Sequence, residues 1–362
     1  MFEVEGCFVA AGKHQHFMAF QIGCTYIGTV VGAGFASGQE VLQFFGRFGN
    51  WGYIAILVTT FLFAWLGYRL MQLGHDLKAY TYREVNEYLF GRRVGAFIDV
   101  VMMIMLFGVT VAMIAGAGEL FRERAHLSFQ LGALVTMVVT FLTILRGING
   151  IIRANTIIVP IMVSFVLFAA LHALYTHGIA SAWQAGAVGP HGHPILTGIS
   201  AILYSALNIG LAAGVLIPLG ASVPDRAVLR RGAEIGALGL GTMLMAVMFT
   251  LLAHYPNVLS FAVPMGYVAS RLGPSVQWLF VIVLWGEIYS TLVGNVFAIG
   301  TQFERKVPYQ RAAMFAVTLL LAYAVSQVGF TNIVTYAYTA FGWVCILLLM
   351  ALLWPRGDLL EK

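Results

Sequence analysis

Two acidic residues stand where a bilayer would surround them. Glu287 lies near the middle of the apolar run 275-300, and Glu40 lies in the second half of the run 17-46. A carboxylate inside a membrane costs a few kcal/mol unless it is paired, protonated or facing water, so each is a candidate for charge or proton coupling. A structural carboxylate bonded to irregular backbone is the alternative for Glu287. For Glu40, nearer the outer interface, plain solvation is the alternative. The run that holds Glu40 also carries Gly28, Gly32, Gly34 and Gly38 in GTVVGAGFASGQE. Each glycine costs a helix about 1 kcal/mol relative to alanine, which predicts a break. An unwound stretch frees amides and carbonyls that lipid cannot satisfy, so it persists only beside protein or a water-filled cavity. Half-helix N-termini favour an anion and freed carbonyls a cation, a combination that suits a zwitterion.

The feature has an echo. GFASG at 34-38 is matched by GLAAG at 210-214, an offset of 176 residues, and the second run begins at Gly210. Tyr204, Ser205 and Asn208 lie just before it. Asn208 is a candidate substrate contact or a half-helix cap, a common use of asparagine. Glycines used only for close helix packing are the competing explanation for either run.

The elements that must position these groups follow from composition. The 362 residues are 60% hydrophobic and only 10% charged, which excludes an ordinary soluble domain. The mean hydropathy is +0.86. Runs of roughly 20 apolar residues, each long enough to cross a hydrocarbon core, recur throughout. Ten are expected, at 17-46, 50-73, 96-118, 128-147, 150-175, 195-219, 233-255, 275-300, 311-329 and 331-354. Residues 1-16 and 355-362 are expected to be cytoplasmic tails, and 176-194 an outer loop; the first of these lacks the pattern of a cleavable signal. With both termini inside, the cytoplasmic side receives 16 of the 20 basic residues, leaving Arg47, Arg122, Arg124 and Arg271 outside. That asymmetry fits the positive-inside rule and a cell-membrane location.

Adding 176 to spans two to five lands roughly on spans seven to ten. Because five is odd, two five-span units in series, 17-175 and 195-354, must be inverted relative to one another. Matched glycine-interrupted spans in inverted halves point to a midplane binding site in secondary transporters.

The run GTVVGAGFASGQEVLQFF resembles the first span of the YkvI-like membrane proteins, within the amino acid, polyamine and organocation transporter superfamily, over nearly the whole chain. It is also similar to the G-x-x-V-G-x-G of sodium-coupled neurotransmitter-type transporters. The resemblance implies an all-α integral membrane protein with ten transmembrane helices in a LeuT-type five-plus-five inverted repeat, spans one and six discontinuous. It implies carbonyls of Gly28 and Val31 offered to a sodium ion, completed by Ser290 and Thr291 in GEIYSTLVGN, with no other cofactor. Ala33 and Gly34 would present amides to a substrate carboxylate, with Phe35, Tyr204, Asn208 and Gly210 in the same substrate site. Phe35 stands where that family has an asparagine of a second sodium site, so this chain lacks that ligand. Glu287, three and four residues ahead of Ser290 and Thr291, shares a helix face with them. It would add charge to sodium binding or take the proton of a proton-coupled carrier.

The expected function is therefore secondary transport of a small solute, an amino acid or similar zwitterion, coupled to sodium. A proton-coupled amine or amino-acid carrier and a channel or sensor on the same scaffold are the alternatives. The sequence shows no selectivity-filter motif. It also shows neither an H-E-x-x-H pair nor a nucleophile with a base, so an intramembrane enzyme is not expected. The basic residues are spread over short loops, which argues against nucleic acid as a partner and leaves solute and lipid. Cys7, Cys24 and Cys345 have no metal-like spacing. His172, His177, His191 and His193 read as residues of a solvated loop rather than a zinc site. The segment 256-274, punctuated by Pro256, Pro264 and Pro274, is expected to form a surface or re-entrant helix over the outer vestibule.

Overall fold

The computed structural model describes residues 2–124, 126–188, 193–261, 263–302 and 308–327, and within the expected tenth span only Cys345, Ile346, Met350 and Leu352. That span and the C-terminal tail otherwise lie outside the described residues. Where described, the chain is helix joined by short turns.

Span one is broken. Helix α1 (Phe2–Val30) stops at Val31 and Gly32, and α2 (Ala33–Ala36) and α3 (Gln39–Phe44) complete the span. Gly38, between α2 and α3, has φ +81°, a conformation that costs a residue with a Cβ about 1–2 kcal/mol. The glycine run thus breaks the helix twice, once at 31-32 and again at 37-38.

The next helices follow the hydropathy closely: α4 (Trp51–Leu77), α5 (Tyr82–Arg124), α6 (Phe129–Ile144) and α7 (Ile148–Val188). Two are longer than the apolar runs. Helix α5 turns at Gly91 (φ +76°), which sets the polar segment 82-90 off from the apolar span. Helix α7 turns at Gly178 (φ +70°), so the expected outer connection at 176-194 is helical to Val188. Ser128 caps α6 by accepting the Leu131 N–H at 3.2 Å.

Span six corrects an expectation. Helix α8 (Pro194–Ser222) runs through Gly210 and Gly214 without interruption, so span six is not discontinuous. Its glycines serve close packing instead. A Cβ on Gly210 would lie 2.4 Å from Cys345 Sγ, and one on Gly214 would lie 2.2 Å from Ala298 Cβ. Asn208 does not cap a half-helix; its Nδ2 donates to the Tyr204 carbonyl within α8 at 2.9 Å.

Helices α9 (Arg226–Ala253), α10 (Pro264–Arg271), α11 (Pro274–Gln302) and α12 (Pro308–Ser326) follow. Asp225 caps α9 through the Ala227 N–H at 2.8 Å. Among the described residues six helices, α4, α5, α7, α8, α9 and α11, are long and apolar enough to cross a membrane, while α6 and α12 supply shorter apolar helices. The protein is an integral membrane protein.

The helices sort into two groups. Helices α1, α4, α8 and α9 pack on one another. Between α4 and α8 the backbones nearly touch: a Cβ on Gly74 would lie 2.1 Å from the Ile217 carbonyl oxygen, and one on Gly220 would lie 2.0 Å from that of Met71. Small residues permit this approach, which in lipid is the main source of helix association. At the C-terminal end of α4, His75 Nδ1 meets the Val223 carbonyl at 2.9 Å and Arg226 pairs with Asp76 at 2.6 Å. Helices α5, α6, α11 and α12 form the other group, and α7 touches both.

Candidate functional site

The site is the seam between the two groups, at the break in span one. A helix end leaves carbonyls without intrahelical partners. At the end of α1 those of Gly28 and Val31 face α11, where Ser290 Oγ donates to Gly28 O at 2.5 Å and Thr291 Oγ1 donates to Val31 O at 2.8 Å. Both hydroxyl residues are buried.

Their orientation is set on the opposite face of α11. Trp285 and Tyr289, one turn apart, stack at 5.6 Å and 13°. Trp285 Nε1 donates to Thr136 Oγ1 at 2.9 Å, and the Tyr289 hydroxyl bonds Thr143 Oγ1 at 2.6 Å. With that face fixed on α6, the helical period turns Glu287, Ser290 and Thr291 toward α1.

Asn155 of α7 was not singled out from the sequence. It is 1% exposed, and its Oδ1 lies 2.2 Å from where a Cβ on Gly28 would stand. That oxygen has no hydrogen-bond partner among the described residues. A lone asparagine in the apolar run IIRANTIIVP is a detectable signal on the rule that intramembrane polar groups need partners. The sequence contains nothing to say which partner. Two carbonyls and two hydroxyls make an all-oxygen donor set without thiol or imidazole, the kind that suits a hard cation, and the Asn155 amide oxygen lies against Gly28 beside it.

The other singled-out residues divide between two neighbourhoods. Glu40 of α3 folds back on the break, its carboxyl against the α-carbon of Gly34. Glu287 is buried in α11, one turn before Thr291, whose Oγ1 lies 3.3 Å from where a Cβ on Gly32 would stand. Ala33 and Phe35 are buried in α2. Tyr204 packs instead in an aromatic cluster with Phe44, Phe45 and Phe63, at centroid distances of 5.2, 5.0 and 6.1 Å. Asn208 is turned back on its own helix and Gly210 faces Cys345. The cluster lies against α3, beside the C-terminal half of span one rather than at the carbonyl seam.

The connection between α9 and α11 is attached to the same break. Residues 257-260 form a 3-10 turn, and α10 follows as a short helix. The Met265 N–H donates to the Ser37 carbonyl at 2.9 Å. Among the histidines, the rings of His177 and His254 lie 4.6 Å apart, tilted by 57°, and His193 accepts the Ile195 N–H as the cap of α8. His191 lies outside the described residues. No group of three or more His, Cys, Asp or Glu side chains suited to a metal ion occurs among the described residues.

Comparison with known proteins places this geometry in context. No family model matches the chain. It is 35% identical over 339 residues to the uncharacterized membrane protein YkvI of Bacillus subtilis (strain 168), covering 94% of this chain and 96% of that protein. It is 25% identical over 327 residues to the uncharacterized protein YyaD of the same organism, covering 90% and 94%. Among solved structures, a substrate-bound, outward-open Na+-coupled sialic acid symporter matches with TM-score 0.70 and 12% identity, over 92% of this chain and 78% of the other. MhsT in complex with L-phenylalanine matches with TM-score 0.65 and 18% identity, over 91% and 88%. A manganese transporter of Eremococcus coleocola matches with TM-score 0.55 and 13% identity, over 92% and 76%. At these identities the likeness is one of fold, the LeuT-type fold.

Proposed function

From the premise that this chain belongs to the YkvI family and has the LeuT-type fold, we propose that it is a secondary transporter, coupling a monovalent cation to the movement of a small solute. The coupling ion in this reading is sodium, bound by the carbonyls of Gly28 and Val31 and the hydroxyls of Ser290 and Thr291, with Asn155 Oδ1 as a further ligand. The observation that carries it is the convergence of both hydroxyls of α11 on both carbonyls at the end of α1. A hydroxyl can turn its proton away and present a lone pair, so the same pairs that bond each other without an ion can surround one.

Coupling follows from where the site lies. Its ligands come from both helix groups, so the ion stabilises the arrangement in which they meet. The broken stretch that supplies carbonyls to the ion continues directly into Ala33 and Gly34, the proposed substrate contacts. Ion and solute thus share one element, which gives linkage between their affinities a physical route. The solute in this reading is an amino acid or similar small zwitterion; the solved neighbours named for sialic acid and L-phenylalanine support a small organic solute. In this reading the protein lies in the cell membrane with both termini cytoplasmic, which its basic-residue asymmetry supports.

A second reading is favoured by one observation, the unpartnered buried Oε2 of Glu287. In it, Glu287 carries a proton and the coupling is to protons. Thermal stabilisation of the purified protein separates the two, using a panel of amino acids and amines with sodium and potassium compared at constant ionic strength. A ligand that binds only the folded state must raise the apparent stability. A sodium-dependent shift with one solute, lost when Ser290 and Thr291 are both replaced by Ala, supports sodium coupling. A shift indifferent to sodium but altered by pH and by Glu287→Gln supports proton coupling.

A further inference from the structure

Beside the break two carboxyl groups are buried, with no basic side chain buried among the described residues. Glu40 is 9% exposed and Glu287 1% exposed, and they are the only charged side chains buried among the described residues. Glu40 Oε1 lies 2.0 Å from where a Cβ on Gly34 would stand, so its carboxyl occupies the space that only a glycine leaves open. Glu287 comes from the facing helix α11, one turn before Thr291, whose Oγ1 lies 3.3 Å from where a Cβ on Gly32 would stand, two residues from Gly34. Independently of the pair, Glu287 Oε2 is buried and accepts no hydrogen bond from any described residue.

Two like charges in a medium of low dielectric repel strongly, and a buried carboxylate oxygen without a donor carries its full desolvation cost. Proteins meet that cost with a buried base, a cluster of donors, a bound cation or a proton on the carboxyl itself. Here the described residues supply neither of the first two at Glu287 Oε2. We propose that Glu40 and Glu287 form a second cation site, distinct from the carbonyl and hydroxyl site one turn along α11, that takes a monovalent cation: the ammonium head of the transported solute or a second alkali ion. A divalent ion is disfavoured because such ions call on more hard ligands than the two carboxyls offer, and no cluster of three acidic or imidazole groups is present among the described residues. The ammonium source rests on the transporter reading above and orients the solute, with its amine toward Glu40 and Glu287 rather than toward the Ser290 and Thr291 side.

Isothermal titration of the purified full-length protein tests this with three probes of equal chain length, pentylamine, norvaline and pentanoate, and with sodium alone. If the site takes an ammonium group, pentylamine and norvaline bind and pentanoate does not. Combining Glu40→Gln and Glu287→Gln then weakens the amine about tenfold or more, as expected on loss of a charge-assisted contact, while Glu287→Asp restores part of it. If it takes an alkali ion, the double variant loses one sodium equivalent and amine binding is unchanged. Identical amine affinity and identical sodium stoichiometry in wild type and double variant overturn the proposal, as does pentanoate binding as tightly as pentylamine. Should the double variant fail to fold, each single Gln variant and Glu287→Asp carry the same comparison. Combining Ser290→Ala and Thr291→Ala is the control for the transporter reading: sodium binding that survives it while amine binding is lost in the Glu variants rejects the first site and keeps the second.

Discussion

The Met265 N–H donates to the Ser37 carbonyl at 2.9 Å, fastening the start of α10 to the end of α2. Ser37 immediately precedes the left-handed Gly38, so one backbone bond joins the connection between α9 and α11 to the second break of span one. If α10 closes over the bound solute, sodium and solute together slow deuterium exchange at the Met265 amide, and either alone slows it less. Exchange followed by mass spectrometry checks this; an amide indifferent to both ligands removes α10 from the closing step.

Gly38→Ala puts a Cβ into a backbone conformation that disfavours it, against Met265 and Leu251 side chains at 3.0 and 3.1 Å. The expected cost is about 1–2 kcal/mol from the left-handed backbone. A lowered melting temperature in detergent, with the Met265 amide exchanging faster, is the expected result.

Replacing Thr291 by Ser keeps the hydroxyl that meets Val31 O, whereas Ala deletes it. Sodium dependence of solute uptake in proteoliposomes is expected to survive Thr291→Ser with a modest change in half-saturating sodium, and to weaken about tenfold or more in Thr291→Ala. Equal behaviour of the two variants speaks against the hydroxyl as an ion ligand.

Asn155→Ala removes the amide oxygen that faces Gly28, and Asn155→Asp replaces it with a charged one. As an ion ligand, Asn155 predicts weaker sodium binding in the first variant and retained or tighter binding in the second. Sodium titration of the thermal shift distinguishes this from a packing role, in which both variants lose stability without a change in sodium affinity.

Gly74→Ala and Gly220→Ala each force a methyl group onto backbone atoms of the facing helix, at 2.1 and 2.0 Å. Since backbone cannot step aside as a flexible side chain does, each is expected to destabilise the protein by about 1–3 kcal/mol, read from unfolding in mixed detergent.

The spans were legible because a bilayer imposes length and hydropathy on each helix independently of its neighbours. The runs 50-73, 195-219 and 275-300 correspond to Trp51–Leu77, Pro194–Ser222 and Pro274–Gln302. The break at Gly32 was legible for the same local reason, a crowding of glycines that helix propensity penalises. The second glycine run has the same local signature and does not break. What separates them is tertiary: Gly210 and Gly214 are each covered by a neighbouring side chain, and spacing in one chain cannot show who the neighbour is. The shared face of Glu287, Ser290 and Thr291 followed from helical period alone. Asn155 did not, because its meaning lies in a contact with Gly28 across 127 positions of sequence.

The unbroken course of α8 makes the two halves mechanically unequal. Of the four helices that pack together as α1, α4, α8 and α9, three are stiff rods locked at the C-terminal end of α4 by Arg226, Asp76 and His75. The fourth is jointed, and its C-terminal segments α2 and α3 are separated from α1 by the break. A rearrangement at the break therefore requires only the bending of a short lever at residues 31-32 and 37-38. Parting the seam as a whole requires the stiff rods to move together as one body.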